Sequence, residues 1–199
     1  SSSHGHQSFR LKDQAERVVE LDLTGHYQRK NLATVWAAIS VLRRSGWKLD
    51  EEKVLQALAR VRQLTGLMGR WQSLSATPQV IADVGHNVDG IREIISQLKT
   101  VPHRHLRWVI GMVSDKDIRA VLELLPVEAT YYCCAPDLPR AMPADQLEQA
   151  VRTFGLSTRI FPSVDAAVKA AMSEADSDDL VFIGGSTFVV AEALPLFTT

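Results

Sequence analysis

Three short clusters in this chain carry side chains able to bind or activate a polar substrate. Asp83-Val84-Gly85-His86-Asn87 offers a carboxylate, an imidazole and a carboxamide. Gly111, followed by Ser114-Asp115-Lys116-Asp117, offers an ammonium group among acids. Gly184-Gly185-Ser186-Thr187 has glycines that let a backbone curl into an anion-binding nest, with hydroxyls where a helix should begin. Taken singly, each has a structural reading of equal weight. Asp83 or Asn87 can simply cap the next helix, and Gly185-Ser186 can simply turn the chain. Their position raises the functional reading. Each cluster ends a short apolar run, and in a parallel sheet the carboxyl ends of all strands meet on one edge, where ligands bind.

The elements that must bring the clusters together alternate regularly. Strands are predicted at Gln79–Asp83, Leu106–Gly111, Thr130–Ala135, Thr158–Phe161 and Leu180–Ile183. Between them, Val88, Ile91, Ile94, Ile95 and Leu98 fall at helical spacing, as do Ile118, Val121, Leu122 and Leu125, and Leu147, Ala150, Val151 and Phe154. Ser163 caps a helix through Val164, Ala167, Val168 and Ala171, and a last helix runs from Ser186 to Leu194. Trp71–Leu74 and Gln79–Asp83 flank Thr77-Pro78 as a hairpin. The fold class is therefore α/β, a Rossmann-like, mostly parallel sheet with helices on both faces.

The N-terminal third reads differently. Residues 1–17 are polar and expected to be irregular, with His4 and His6 in a solvated tail. Val18–Leu23 is a strand. Leu32, Val35, Trp36, Ile39 and Leu42 mark one apolar helical face, closed by Arg43, Arg44 and Gly46. Asp50 caps a further helix with Val54, Leu55, Leu58 and Val61 on one side. Periodicity stops at Thr65–Arg70, which gives two domains, 1–66 and 67–199.

Composition narrows the functional classes. The chain has 199 residues, 46% hydrophobic and 23% charged, with a formal net charge of −1 and both signs interspersed. That is no phosphate-backbone binder, and no apolar run approaches the ~20 residues of a membrane helix. Residues 1–10 are polar and do not read as a signal peptide. Adjacent Cys133 and Cys134 sit in an apolar strand and read as core thiols of a reducing cytoplasm. Gly-x-Gly-x-x-Gly after a strand, Gly-x-Ser-x-Gly and Gly-x-x-x-x-Gly-Lys-Ser/Thr are all missing, which argues against dinucleotide binding and a hydrolase elbow and leaves no P-loop.

Gly69-Arg70-Trp71, followed by Asp83-Val84-Gly85-His86-Asn87, resembles the Gly-Arg-Trp … Asp-Gly-Ala-His-Asn-Pro signature of folylpolyglutamate synthases/dihydrofolate synthases, with matching spacing. Gly111 … Asp115-Lys116-Asp117, Leu138-Pro139-Arg140-Ala141, and Gly185-Ser186 with Ala191-Glu192 are similar to that family's segments, in order. Upstream, Gly25-His26-Tyr27-Gln28 … Asn31 is similar to a stretch late in the Mur-ligase ATPase domain. Val84-Gly85 for Gly-Ala, Val88 for Pro and Tyr27 before Gln28 depart from the pattern and put substrate preference in doubt.

The resemblance implies an ATP-dependent carboxylate–amine ligase of folate biosynthesis. It activates dihydropteroate or a (poly)glutamyl folate as an acyl phosphate, which the amine of L-glutamate then attacks. By the same resemblance Arg70 reaches the ATP phosphates, Asp83 the ribose and Asn31 the adenine. His86, Lys116 and Ser186 line the glutamate site, and Arg70 and His86 act in catalysis. ATP and Mg²⁺ are the implied cofactors, with no metal ligand assigned in this chain. The expected protein is a cytoplasmic monomer without nucleic-acid or membrane partners. Residues 1–66 would be the end of an ATPase domain whose P-loop and Mg²⁺ ligands lie outside this sequence, leaving the 199 residues inactive alone. Two rivals stay open: a peptidoglycan-type Mur ligase, and a free-standing, non-catalytic α/β ligand-binding module.

Overall fold

The computed structural model describes residues 2–3, 5–10, 18–114 and 118–197. Contacts divide the chain into Ser1–Arg70 and Trp71–Thr199. Expectations placed on His4, Asp115, Lys116 and Asp117 fall outside the described residues.

In the first unit, strands β1 (Ser2–Ser3), β2 (His6–Arg10) and β3 (Val18–Leu21) form an antiparallel sheet, with Gln7 opposite Leu21 and Arg10 opposite Val18. This corrects the expectation of an irregular start. The His6–Arg10 segment alternates along its length and lays Phe9 against the cluster of Val19, Leu21, Leu23, Leu32 and Leu58. Its one aromatic residue among polar neighbours gave too weak a periodic signal. Gln7 adds side-chain bonds to the carbonyls of Leu23 and Gly25.

Helix α1 (Gln28–Arg44) forms where the apolar spacing predicted, and ends on Arg43 and Arg44. Its apolar stripe is not buried as a stripe: Leu32 is inside, Trp36 and Ile39 are half-buried, and Val35 and Leu42 are exposed. Helix α2 (Glu51–Leu58) starts at Asp50, whose carboxylate accepts from the Lys53 N–H. The expected continuation through Val61 is broken. The Asp22 carboxylate accepts from the Val61 and Arg62 N–H groups at 3.1 and 2.8 Å and starts a separate short helix α3 (Val61–Thr65).

The second unit is a six-stranded sheet. Strands β4 (Gln72–Ala76), β5 (Gln79–Asp83), β6 (Leu106–Ile110), β7 (Thr130–Cys133), β8 (Ser157–Ile160) and β9 (Leu180–Gly184) lie in the order β4-β5-β9-β6-β7-β8. Only β4 runs antiparallel; Val80 stands beside Val181, and Trp108 beside Phe182. Because the side chains of a strand alternate, each strand feeds two cores. One face packs Ile81, Trp108, Ile110, Tyr131, Cys133 and Phe182 against α4 (Val88–Leu98), α5 (Arg119–Leu122) and α6 (Ala144–Arg152). The other packs Val80, Ala82, Val109, Tyr132, Cys134 and Ile183 against α7 (Val164–Glu174) and α8 (Thr187–Ala193). The α/β expectation holds. The two cysteines are free and point to opposite faces.

The strand order sets the site. After β5 and β6 the chain leaves toward the α4–α5 face, and after β9 it leaves toward the α8 face. The carboxyl ends of β5, β9 and β6 therefore border a crevice. The opposite edge carries a polar network. Asp179, whose side chain is fully buried, accepts from Arg107 Nη2 at 3.0 Å and Arg104 Nε at 3.3 Å. Arg107 also donates to the Tyr132 hydroxyl at 2.9 Å, which donates in turn to Glu174 at 2.7 Å. Glu174 is paired with Arg159. Burial alone would raise the Asp179 carboxyl, but the Asp176 N–H and the Arg107 and Arg104 guanidinia hold it below the usual carboxylate range.

Candidate functional site

A cavity of about 540 Å³ opens at the carboxyl ends of β5, β6 and β9. Four loops supply its walls, and each is fixed by its own backbone chemistry.

The loop after β5 brings His86. Asn87 ends it by capping α4, its Oδ1 accepting from the Gly90 N–H at 2.8 Å. Asn87 thus takes the structural role open to it in sequence. His86 is exposed at the cavity, and its Nδ1 lies 3.0 Å from the Val84 carbonyl oxygen. A carbonyl only accepts, so Nδ1 is the donor in this contact.

The loop after β9 brings Ser186. Gly185 has φ +95°, and a Cβ there would stand 3.0 Å from Ile110 Cγ1 and 3.2 Å from the Gly111 carbonyl, so only glycine fits. Ser186 is buried and caps α8, its Oγ accepting from the Phe188 N–H at 3.2 Å.

The remaining walls are the loops after β6 and β7, stitched to each other. Val113 bridges Ala141, the Ser114 N–H donates to the Arg140 carbonyl, and the Met142 N–H donates to the Met112 carbonyl. Gly111 permits this closeness, because a Cβ there would lie 2.7 Å from the Cys134 carbonyl. Glu192 of α8 accepts the Asp137 N–H at 2.7 Å and ties the same loop to the β9 side. Arg140 therefore stands at the cavity with its guanidinium 5.2 Å from the centre of the Phe188 ring. Met112, Ile118 and Val121 give the cavity an apolar side.

Of the residues singled out in sequence, His86 and Ser186 meet at this cavity. Lys116 lies outside the described residues, two positions past Ser114. Asn31 and Arg70 belong to the first unit. The Asn31 amide donates to Gln28 Oε1 at 2.9 Å, and Arg70 is half-buried at the unit's last position. Asp83 is 2% exposed, and its two oxygens accept from the Trp71 N–H at 2.7 Å and the Gly85 N–H at 2.8 Å. The first bond holds Trp71 at φ +48°, a left-handed conformation uncommon outside glycine. Arg140 and Phe188 were not picked as site residues. Arg140 had a signal, the Leu138-Pro139-Arg140-Ala141 segment, but nothing local assigned it a task. Among the described residues no group of three or more His, Cys, Asp or Glu side chains is arranged to hold a metal ion. No helix there is long and apolar enough to cross a membrane.

Residues 69–187 match the model of the family described as Mur ligase, glutamate ligase domain. The chain belongs to that family. Its glutamate ligase domain covers nearly all of the second unit. The dihydrofolate synthase/folylpolyglutamate synthase of Escherichia coli (strain K12) is 33% identical over 159 residues, covering 79% of this chain and 36% of that protein. A probable bifunctional folylpolyglutamate synthase/dihydropteroate synthase of Halobacterium salinarum is 32% identical over 182 residues, covering 91% of this chain and 21% of that protein. A bifunctional folylpolyglutamate synthase/dihydrofolate synthase crystallised with Mn, AMPPNP and L-glutamate superposes with a TM-score of 0.70 at 35% identity, covering 83% of this chain and 39% of that one. The chain thus spans well under half the length of these relatives, and its resemblance to folylpolyglutamate synthases extends over most of its own length.

Proposed function

We propose that this chain is the amine-receiving part of an ATP-dependent carboxylate–amine ligase that joins L-glutamate to dihydropteroate or a (poly)glutamyl folate through an acyl phosphate. One observation carries the reading. His86, Arg140 and Ser186 converge on a single cavity at the carboxyl edge of a glutamate ligase domain. A relative whose structure has Mn, AMPPNP and L-glutamate bound supports it.

An incoming amino acid brings carboxylates that must be desolvated and an amine that must become nucleophilic. The Arg140 guanidinium meets the carboxylates through charge-assisted hydrogen bonds, and the family resemblance adds Lys116 to that task. Buried Ser186 shapes the floor. His86 Nε2 takes one proton from the ammonium and frees the amine lone pair; the amine then attacks the acyl phosphate carbon, the carbon–oxygen bond to phosphate breaks, and the second N–H proton leaves with the phosphate. Taking the ammonium proton is ordinary general-base work for an imidazole.

ATP supplies the activating phosphoryl group when bound. Arg70, immediately before the second unit, is the residue of this chain suited to its phosphates, and Asn31 to the adenine through its carbonyl oxygen. Asp83 already bonds two backbone N–H groups. A ribose hydroxyl would share its remaining lone pairs, so backbone anchoring is the larger part of its role. Among the described residues no cluster of three or more His, Cys, Asp or Glu side chains is placed to hold Mg²⁺. In this reading residues 1–66 close an ATPase domain, 67–199 form the ligase domain, and the ligase works as a cytoplasmic monomer.

The test is direct binding. L-Glutamate titrated into the ¹⁵N-labelled chain should move the amides of His86, Arg140 and Ser186 in one saturable transition. Shifts absent there, or spread over both units without saturation, would reject the amine-receiving reading. Pteroate and UDP-linked peptide acceptors, offered to a ligase containing this chain, separate the folate branch from the peptidoglycan branch.

A further inference from the structure

Trp71 holds a backbone conformation that a bulky residue avoids. Its φ is +48° and that of Gly69 is +68°, so Arg70 lies between two left-handed residues. A glycine after Arg70 would take the same angle without strain and leave the joint loose. This chain uses a tryptophan there and restrains it at both ends. The Trp71 ring is buried in the core, its centre 6.0 Å from that of the Phe182 ring. Its N–H, which belongs to the peptide joining Arg70 to Trp71, donates to Asp83 Oδ2 at 2.7 Å. Left-handed backbone in a residue other than glycine persists only where its surroundings over-determine it, and it gathers at functional sites. The other Asp83 oxygen accepts from the Gly85 N–H at 2.8 Å, one residue before His86. That loop is tightly seated as well, since a Cβ on Gly85 would stand 2.6 Å from Ile94 Cδ1.

We propose that Asp83 is a positioning residue: its carboxylate clasps the peptide after Arg70 with one oxygen and the loop that carries His86 with the other, and so fixes the backbone beside both from a single point. The inference rests on the roles given above to Arg70 and His86, and it makes this clasp, rather than a ribose contact, the main task of Asp83. A carboxylate that is 2% exposed and accepts two N–H bonds is a stiff fastening, because both bonds are charge-assisted and shielded from bulk water. Stiffness matters here. Arg70 must meet the developing phosphoryl charge, and a misplacement of about 1 Å can cost about a hundredfold in rate. Asp83 touches no reacting atom in this role, so its loss slows the chemical step and spares substrate binding.

The experiment uses a ligase containing this chain, supplied with ATP or with dideoxy-ATP, which lacks both ribose hydroxyls. Asp83→Asn keeps the side chain's size and removes one acceptor. It should lower kcat roughly ten- to hundredfold with either nucleotide and leave KM for ATP and L-glutamate within about twofold. In an Arg70→Ala background the same substitution should lower kcat by a much smaller factor, because no guanidinium remains to be misplaced. In the unmodified chain, hydrogen exchange at the Trp71 and Gly85 amides should be as slow as along β5. Exchange there at the rate of open loops means that the clasp is absent and overturns the role, whether or not Asp83→Asn folds. If Asp83→Asn keeps kcat and raises KM for ATP but not for dideoxy-ATP, the carboxylate serves the ribose, and the positioning role is wrong while the amine-receiving reading stands. An equal loss of kcat with and without Arg70 makes Asp83 a purely structural residue, with the same consequence. A ligase without glutamate-dependent turnover fails that reading and takes this inference with it.

Discussion

Replacing Asp179 with alanine is the sharpest test of what holds the second unit together. Its side chain is fully buried, and its main partner Arg107 is 15% exposed, so removing the carboxylate leaves a largely desolvated guanidinium. Breaking a buried pair from one side typically costs ~3–5 kcal/mol. Arg107 retains the Tyr132 hydroxyl and, at 3.8 Å, Glu174. Arg104 is mostly exposed and adds little. We therefore expect a loss of about 2–4 kcal/mol, which at a mid-range urea slope of ~2 kcal/mol per molar moves the midpoint by roughly 1–2 M. Because the Asp179 pKa is depressed in the fold, its stabilisation is present above the unfolded-state pKa and disappears as pH falls through the folded value. The alanine variant should thus lose most at neutral pH and converge on the parent in acid. Arg107→Met added to Asp179→Ala should recover much of the loss, since a neutral pair leaves no stranded charge. A midpoint shift below about 0.3 M at pH 7, or a difference that grows in acid, would refute the argument.

Other outcomes follow from the rim. In a ligase containing this chain, His86→Ala and Lys116→Ala should raise KM for L-glutamate roughly ten- to hundredfold and KM for ATP far less, read from steady-state kinetics. Arg70→Ala should lower kcat more than it raises the KM for glutamate, because the developing phosphoryl charge loses a partner; a pure KM effect would contradict that role. Gly185→Ala forces a side chain into φ +95° against Ile110 and should cost about 1–3 kcal/mol in chemical denaturation. The 199-residue chain, having no P-loop motif, should release no phosphate from ATP with glutamate and a folate acceptor present.

Much of the second unit could be read from its sequence because its signals are local. Parallel strands covered on both faces are near-continuous apolar runs; Leu180–Gly184 reads that way, and Leu106–Ile110 does so apart from Arg107. Asp50, Asn87 and Ser163 cap the helices they precede through bonds three residues ahead. What escaped depends on distant partners. The break before α3 is made by Asp22, some forty residues earlier in the chain. The insertion of β9 between β5 and β6 leaves no mark on any single segment. That insertion joins Ser186 to His86, and the β6–β7 loop bridge adds Arg140. For the same reason the half-exposed stripe of α1 looked like a core face: spacing specifies a helix, and only the neighbours specify what covers it.

The two adjacent thiols at the end of β7, Cys133 and Cys134, face different helical layers, and each is held unreactive by its own surroundings. Burial, with Glu148 adding to it, pushes Cys133 up to about 12. Burial, with Cys133 and Glu192, pushes Cys134 higher still. Thiolate is the species that alkylating reagents capture, so neither reacts until the helices over it move away. The pair is therefore a built-in two-channel gauge. Modification of Cys133 times the opening of the α4–α6 layer, and modification of Cys134 times that of α7 and α8. One peptide mapped by mass spectrometry can then report which side of the sheet comes apart first.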